Sequence, residues 1–96
     1  MLVWIVYDIS SNKTRTRVAK MCLKKGLSRV QKSVFLGSIN ETQLKSAVSE
    51  SESLIDKETD SVYIFPFCQE DFKKIRILGQ AFDKAMVNDE IKEFFI

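Results

Sequence analysis

Histidine is absent from this 96-residue chain, and it has only two cysteines, one proline and three glycines. Without an imidazole, histidine-activated nucleophiles and most zinc catalysis are excluded. Cys22 and Cys68 lack metal-ligand spacing, so each reads as a small, reduced, buried residue of a cytoplasmic protein. Long apolar runs are missing too. The N-terminal run Leu2-Val3-Trp4-Ile5-Val6-Tyr7 has six residues and no basic segment before it, which argues against a signal peptide or a membrane span. Acids are nearly missing from the first third: up to Lys32, Asp8 stands alone against eight bases. Between Glu41 and Asp60 the balance reverses, with six acids against Lys45 and Lys57. A domain polarised in this way offers one face to a polyanion and keeps the other away from it.

What is present reads as one globular α+β domain. An apolar fraction of 45% supports a packed core, and the length suits a single two-layer unit. The first run has no polar face, as in a central strand buried on both sides. Ser11 or Asn12 can cap a helix running to about Lys25, with Gly26 at its left-handed exit. At helical spacing Lys13, Arg17, Lys20 and Lys24 form one narrow stripe, opposite Val18, Ala19, Cys22 and Leu23. Two short strands are expected at 28–31 and 34–39, turning at Gln31-Lys32-Ser33. Asn40 and Gln43 form a capping box for a second helix, which would bury Leu44, Ala47, Val48, Ser51 and Ile55. A further buried strand runs over 61–65 and stops at Pro66, and a helical turn over 69–73 leads to a short strand over 74–78. This βαββαβ order predicts a ferredoxin-like sandwich over 1–79. Residues 80–96 form a C-terminal extension rich in apolar residues, ending Phe94-Phe95-Ile96. A free terminus rarely carries such residues, so the extension is expected to pair with a second copy of the chain.

Asp8 closes the most apolar run, where burial stops and the chain turns outward. The next nine residues bring Lys13, Arg15 and Arg17 and no second acid, a pattern that points to phosphate binding or phosphate chemistry. Arg15 lies in the first helical turn, placed to reach Asp8 or a substrate phosphate. The alternatives are an Arg15 laid over the core edge and an Asp8 that serves as an ion-pair partner. A single carboxylate per chain is a thin magnesium site, which a two-fold dimer would double.

Three segments resemble a known family: Tyr7-Asp8-Ile9, Arg15-Thr16-Arg17-Val18, and Gly26-Leu27-Ser28-Arg29-Val30-Gln31-Lys32-Ser33-Val34-Phe35. Together with Gly79-Gln80-Ala81-Phe82-Asp83 and Phe94-Phe95, they are similar to the second of the core CRISPR-associated proteins over nearly the whole chain. The resemblance implies a ferredoxin-like homodimer acting in spacer acquisition, where it bridges an integrase partner and holds the backbone of double-stranded DNA. It also implies Mg²⁺-dependent endonuclease activity on single-stranded RNA or duplex DNA. On that reading Asp8 is the catalytic and metal-binding acid, and Arg15, Arg17, Arg29 and Phe35 match positions associated with the cleft or the dimer. Lys13, Arg15, Arg17, Lys20, Lys24 and Arg29, stripe and matched arginines together, are assigned to nucleic-acid contact. Phe35, Phe94, Phe95 and Ile96 are assigned to the dimer interface. One departure is that Ser10 and Ser11 stand where family members often carry a second acid.

Two other classes share the element order. An RNA-recognition domain would need more outward aromatics than Lys32-Ser33-Val34-Phe35-Leu36-Gly37 offers. A regulatory ferredoxin-like domain binding a small ligand would explain the extension but not the basic helix.

Overall fold

The computed structural model describes residues 1–76, 78 and 79. Its elements are β1 (Leu2–Asp8), α1 (Asn12–Lys24), β2 (Ser28–Gln31), β3 (Val34–Ser38), α2 (Glu41–Leu54), β4 (Ser61–Phe67) and α3 (Gln69–Lys73). The strands form one antiparallel sheet in the order β2-β3-β1-β4. This is the ferredoxin-like α+β arrangement. The assigned dimer residues Phe94, Phe95 and Ile96, and the whole 80–96 extension, lie outside the described residues.

Both main helices start and stop where local chemistry directs. Ser11 is the N-cap of α1, its side chain accepting from the Thr14 amide. In α2, Asn40 and Gln43 close the reciprocal capping box. Gly26 leaves α1 at φ +85°, a left-handed value that costs a glycine little. Gly37 is needed for another reason: a Cβ there would come within 3.0 Å of the Leu27 side chain and 3.2 Å of its Cα.

The main core lies between the sheet and α1 with α2. Val3, Ile5 and Tyr7 of β1 meet Val18, Met21, Cys22, Leu27, Phe35 and Ala47 there. Leu2 belongs to a smaller cluster with Val30, Leu36 and Phe72, against which Trp4, Val34, Phe67 and Ile75 pack. β1 is therefore lined by apolar residues on both sides, as its sequence requires.

Several expectations are corrected. Phe35 has no exposure at all and stacks on Tyr7 with ring centroids 6.3 Å apart, so it is a core residue with no surface for a partner chain. β4 continues through Pro66 to Phe67. Among the described residues it is an edge strand, where a missing N–H donor is tolerated. Nor is it buried on both faces: Tyr63 is 51% and Phe65 46% exposed. Leu23 and Val48, placed in buried stripes from spacing, lie at the helix margins and are exposed. Among the described residues of 74–78 no strand forms, since Lys74 is the C-cap of α3 and Ile75 packs on the smaller cluster. Cys68 is exposed as the N-cap of α3, whereas Cys22 is buried and its thiol is pushed up to about 12 by that burial. Among the described residues, no helix is long and apolar enough to cross a membrane.

Candidate nucleic-acid interface

The first turn of α1 contains no acid, so the positive end of the helix dipole is left uncompensated by its own sequence. Lys13, Arg17, Lys20 and Lys24 are all exposed along this helix. Among the described residues none of the four forms a salt bridge. The stripe read from spacing is therefore present as four solvated cations along one helix.

Beside it, α1 and the β2–β3 turn enclose a groove of about 600 Å³. Arg15 and Lys20 line it from the helix, Arg29, Lys32 and Ser33 from the hairpin, and no acid is among its lining residues. Its hairpin wall is firmly built. Arg29 donates from Nε and a terminal nitrogen to the Lys32 carbonyl, at 3.1 and 2.6 Å. The Tyr7 hydroxyl donates to the same carbonyl at 3.3 Å. Burial raises the Tyr7 phenol above its ordinary value, partly offset by the positive charge of Arg29. The phenol therefore stays protonated as a donor at neutral pH.

Arg15 does not reach Asp8. Its guanidinium donates to the carbonyl of Ile9 at 2.7 Å and to that of Ser10 at 3.4 Å, and also bonds the Asn12 side chain. These local acceptors lie within six residues of it, and they draw the head over the β1–α1 loop. Asp8 itself is exposed at the end of β1, opposite Ser61 of β4. Among the described residues its carboxylate forms no salt bridge, and no group of three His, Cys, Asp or Glu side chains is assembled that could hold a metal. The donor chemistry fits Mg²⁺, which takes carboxylate oxygen together with water, and among the described residues Asp8 is the one candidate ligand at this strand end.

The acidic half of the chain is not on the opposite side of the molecule. α2 packs beside α1, and Lys25 bridges them, with Nζ 2.5 Å from the Glu50 carboxylate and 3.0 Å from the Ser46 hydroxyl. The hydrogen bond from Lys25 holds the Glu50 carboxyl below its ordinary value. The polarity thus runs across one helical layer, because a two-helix sandwich places both helices on the same face of the sheet.

Two contributors were not singled out from sequence. Lys32 was read as a basic residue of the hairpin turn, with no role for its carbonyl, which organises the groove wall. Asp60, 8% exposed, ties the α2–β4 loop to the loop after Asp8. Its Oδ1 accepts from the Ser10 amide and hydroxyl, each at 3.2 Å, and from the Thr59 hydroxyl at 3.1 Å, while Oδ2 accepts from the Asp56 amide at 3.0 Å. These bonds, led by the one from the Asp56 amide, hold its carboxyl below the ordinary value. The sequence signal was its place at the end of the 56–60 stretch, just before a strand.

Comparison with known proteins agrees with this architecture. The family model described as "CRISPR associated protein Cas2" matches residues 1–75. A CRISPR-associated endoribonuclease Cas2 of Chloroflexus aurantiacus is 35% identical over 81 residues, covering 84% of this chain and 95% of that protein. A CRISPR-associated endonuclease Cas2 of Halalkalibacterium halodurans is 44% identical over 70 residues, covering 68% of this chain and 72% of that one. The crystal structure of Streptococcus pyogenes Cas2 at pH 6.5 superposes with a TM-score of 0.70 at 28% identity, covering 82% of this chain and all of that one. With the family match spanning most of its length and carrying Asp8 and the whole basic helix, the chain belongs to the CRISPR-associated Cas2 family.

Proposed function

We propose that this chain is a nucleic-acid-binding endonuclease of CRISPR defence that works as a homodimer in spacer acquisition, beside an integrase partner. The observation that carries the binding part is the row of Lys13, Arg17, Lys20 and Lys24, exposed and without salt bridges among the described residues. Such a row meets phosphates, not base edges, so binding is to the backbone and insensitive to sequence. Two copies would present two such rows to a duplex. Support for a second copy comes from the outer sheet face, where Tyr63 and Phe65 stack in the open beside Trp4, Val6, Val34 and Phe67.

Cleavage is supported by relatives whose names describe endonucleases and endoribonucleases. In this reading Asp8 and its mate from a second chain would hold Mg²⁺. That ion, when bound, supplies an activated water and offsets charge on the scissile phosphate. The chain's own part is to seat the backbone on the exposed cations of α1, which follows Asp8 in the chain. Arg15 is not a free phosphate ligand in this scheme, because it already holds Ile9 and Ser10.

The test is to assay wild type and Asp8→Asn side by side on single-stranded RNA and on duplex DNA, with and without Mg²⁺. Mg²⁺-dependent cleavage lost in Asp8→Asn, with salt-sensitive duplex binding retained, is expected. Equal cleavage by the two proteins would overturn the role of Asp8.

A further inference from the structure

The segment between Asp8 and α1 is held from both sides. Ile9 is buried and its carbonyl is fixed by Arg15 at 2.7 Å. Ser10, exposed at the surface, is engaged at its amide, its hydroxyl and its carbonyl: the first two donate to Asp60 and the third accepts from Arg15. An exposed loop residue ordinarily satisfies such groups with water. Here a largely buried carboxylate reaches it from 50 residues away in sequence.

Asp60 is itself fixed. Its backbone amide donates to the Asp56 carbonyl at 2.8 Å, and its side chain accepts from Asp56 and Thr59. The next residue, Ser61, is the register partner of Asp8 at the end of the β1–β4 ladder. The link from Asp60 to Ser10 therefore runs alongside the Asp8–Ser61 pair and extends it by one step after the ladder has stopped. Asp8 is held on one side by the sheet and followed on the other by a segment tied at Ile9 and Ser10.

We propose that Asp60 is a positioning residue: with Arg15 it clamps Ile9 and Ser10, and so fixes where the Asp8 carboxylate stands relative to the cations of α1. This rests on the reading of Asp8 as the cleavage residue. A site that depends on one exposed carboxylate per chain has little else to hold its geometry, and misplacement by about 1 Å is enough to cost on the order of 100-fold in rate. The clamp does not touch the phosphate-binding stripe, so backbone affinity should be indifferent to it.

The experiment measures three properties of wild type, Asp8→Asn, Asp60→Ala, Asp60→Asn and Ser10→Ala. They are cleavage kinetics on single-stranded RNA and duplex DNA, hydrogen exchange of the Ser10 amide, and thermal stability. Asp60→Ala is expected to lower kcat by about 10- to 100-fold with KM nearly unchanged, and to speed Ser10 exchange while the β1 and β3 amides stay protected. Asp60→Asn, which keeps one oxygen for the Ser10 amide, and Ser10→Ala, which keeps the amide bond, should fall between it and wild type. Activity that falls only as the folded fraction falls, or a kcat for Asp60→Ala equal to that of wild type, would overturn the positioning role. Wild type lacking Asp8-dependent cleavage would overturn the underlying reading and this inference with it, whatever the Asp60 variants do.

Discussion

Arg29 and Phe35 face each other across the β2–β3 ladder, the guanidinium carbon 5.5 Å from the centre of the ring. The arginine covers a ring that is otherwise enclosed by the core, while its nitrogens hold the Lys32 carbonyl. The pair joins the interior to the basic groove, tying the hairpin wall to the core beneath it.

Phe35→Ala should consequently act on folding. Removing a fully buried ring leaves a cavity and is expected to cost about 3–5 kcal/mol, read as a lower urea midpoint in the isolated protein. A variant of wild-type stability that merely dissociates on dilution would return Phe35 to an interface.

Changing Lys13, Arg17, Lys20 and Lys24 together to Gln should weaken duplex binding and flatten its salt dependence. Each lost phosphate contact is worth about 0.9 in the slope of log K against log salt, so a loss of about 3–4 per bound chain is expected if all four make contact. Neutralising Glu41, Glu50 and Glu52 should not weaken binding. Equal losses from both sets, measured by fluorescence anisotropy across a salt series, would contradict the assignment of the binding face to α1.

Much of the fold was legible because local rules settle it. Ser11, Asn40, Gln43 and Gly26 act within a few residues of themselves, and each stands where its chemistry placed it. The errors arise where the deciding partner is distant, or where it is a backbone group that the side-chain pattern does not show. Pro66 is tolerated only because β4 lies at the sheet edge, and Tyr63 and Phe65 read as core although their face is open. Arg15 was judged against Asp8 by charge, yet two nearby carbonyls hold it at shorter range than any charge argument reveals. Asp60 was invisible because its value depends on Ser10, brought to it by strand pairing. The basic stripe was legible because helical spacing alone defines it.

Ser51 offers a stabilising change. It is 3% exposed in α2, and its hydroxyl has no hydrogen-bond partner among the described residues. Ser51→Ala removes an unsatisfied buried group while improving helix propensity, and should raise folding stability by about 1 kcal/mol. A lower denaturation midpoint for the variant would show that the hydroxyl has a partner after all.

Acid should unfasten the loop that Asp60 holds. Its carboxyl is lowered below the ordinary value in the folded chain, chiefly by the hydrogen bond from the Asp56 amide. A group lowered in this way contributes its full stabilisation above the unfolded value of about 4 and loses it as pH falls through the folded one. Glu50, lowered by Lys25, adds to the same limb with the same sign. Wild type should therefore be most stable relative to Asp60→Asn near pH 7, and the gap between their urea midpoints should close as the pH is taken below about 4. Glu50→Gln serves as the comparison, since it removes the other lowered carboxyl and leaves Ser10 clamped. A gap between wild type and Asp60→Asn that stays constant from pH 7 to pH 3 would mean that the Asp60 carboxylate gains nothing from its charge.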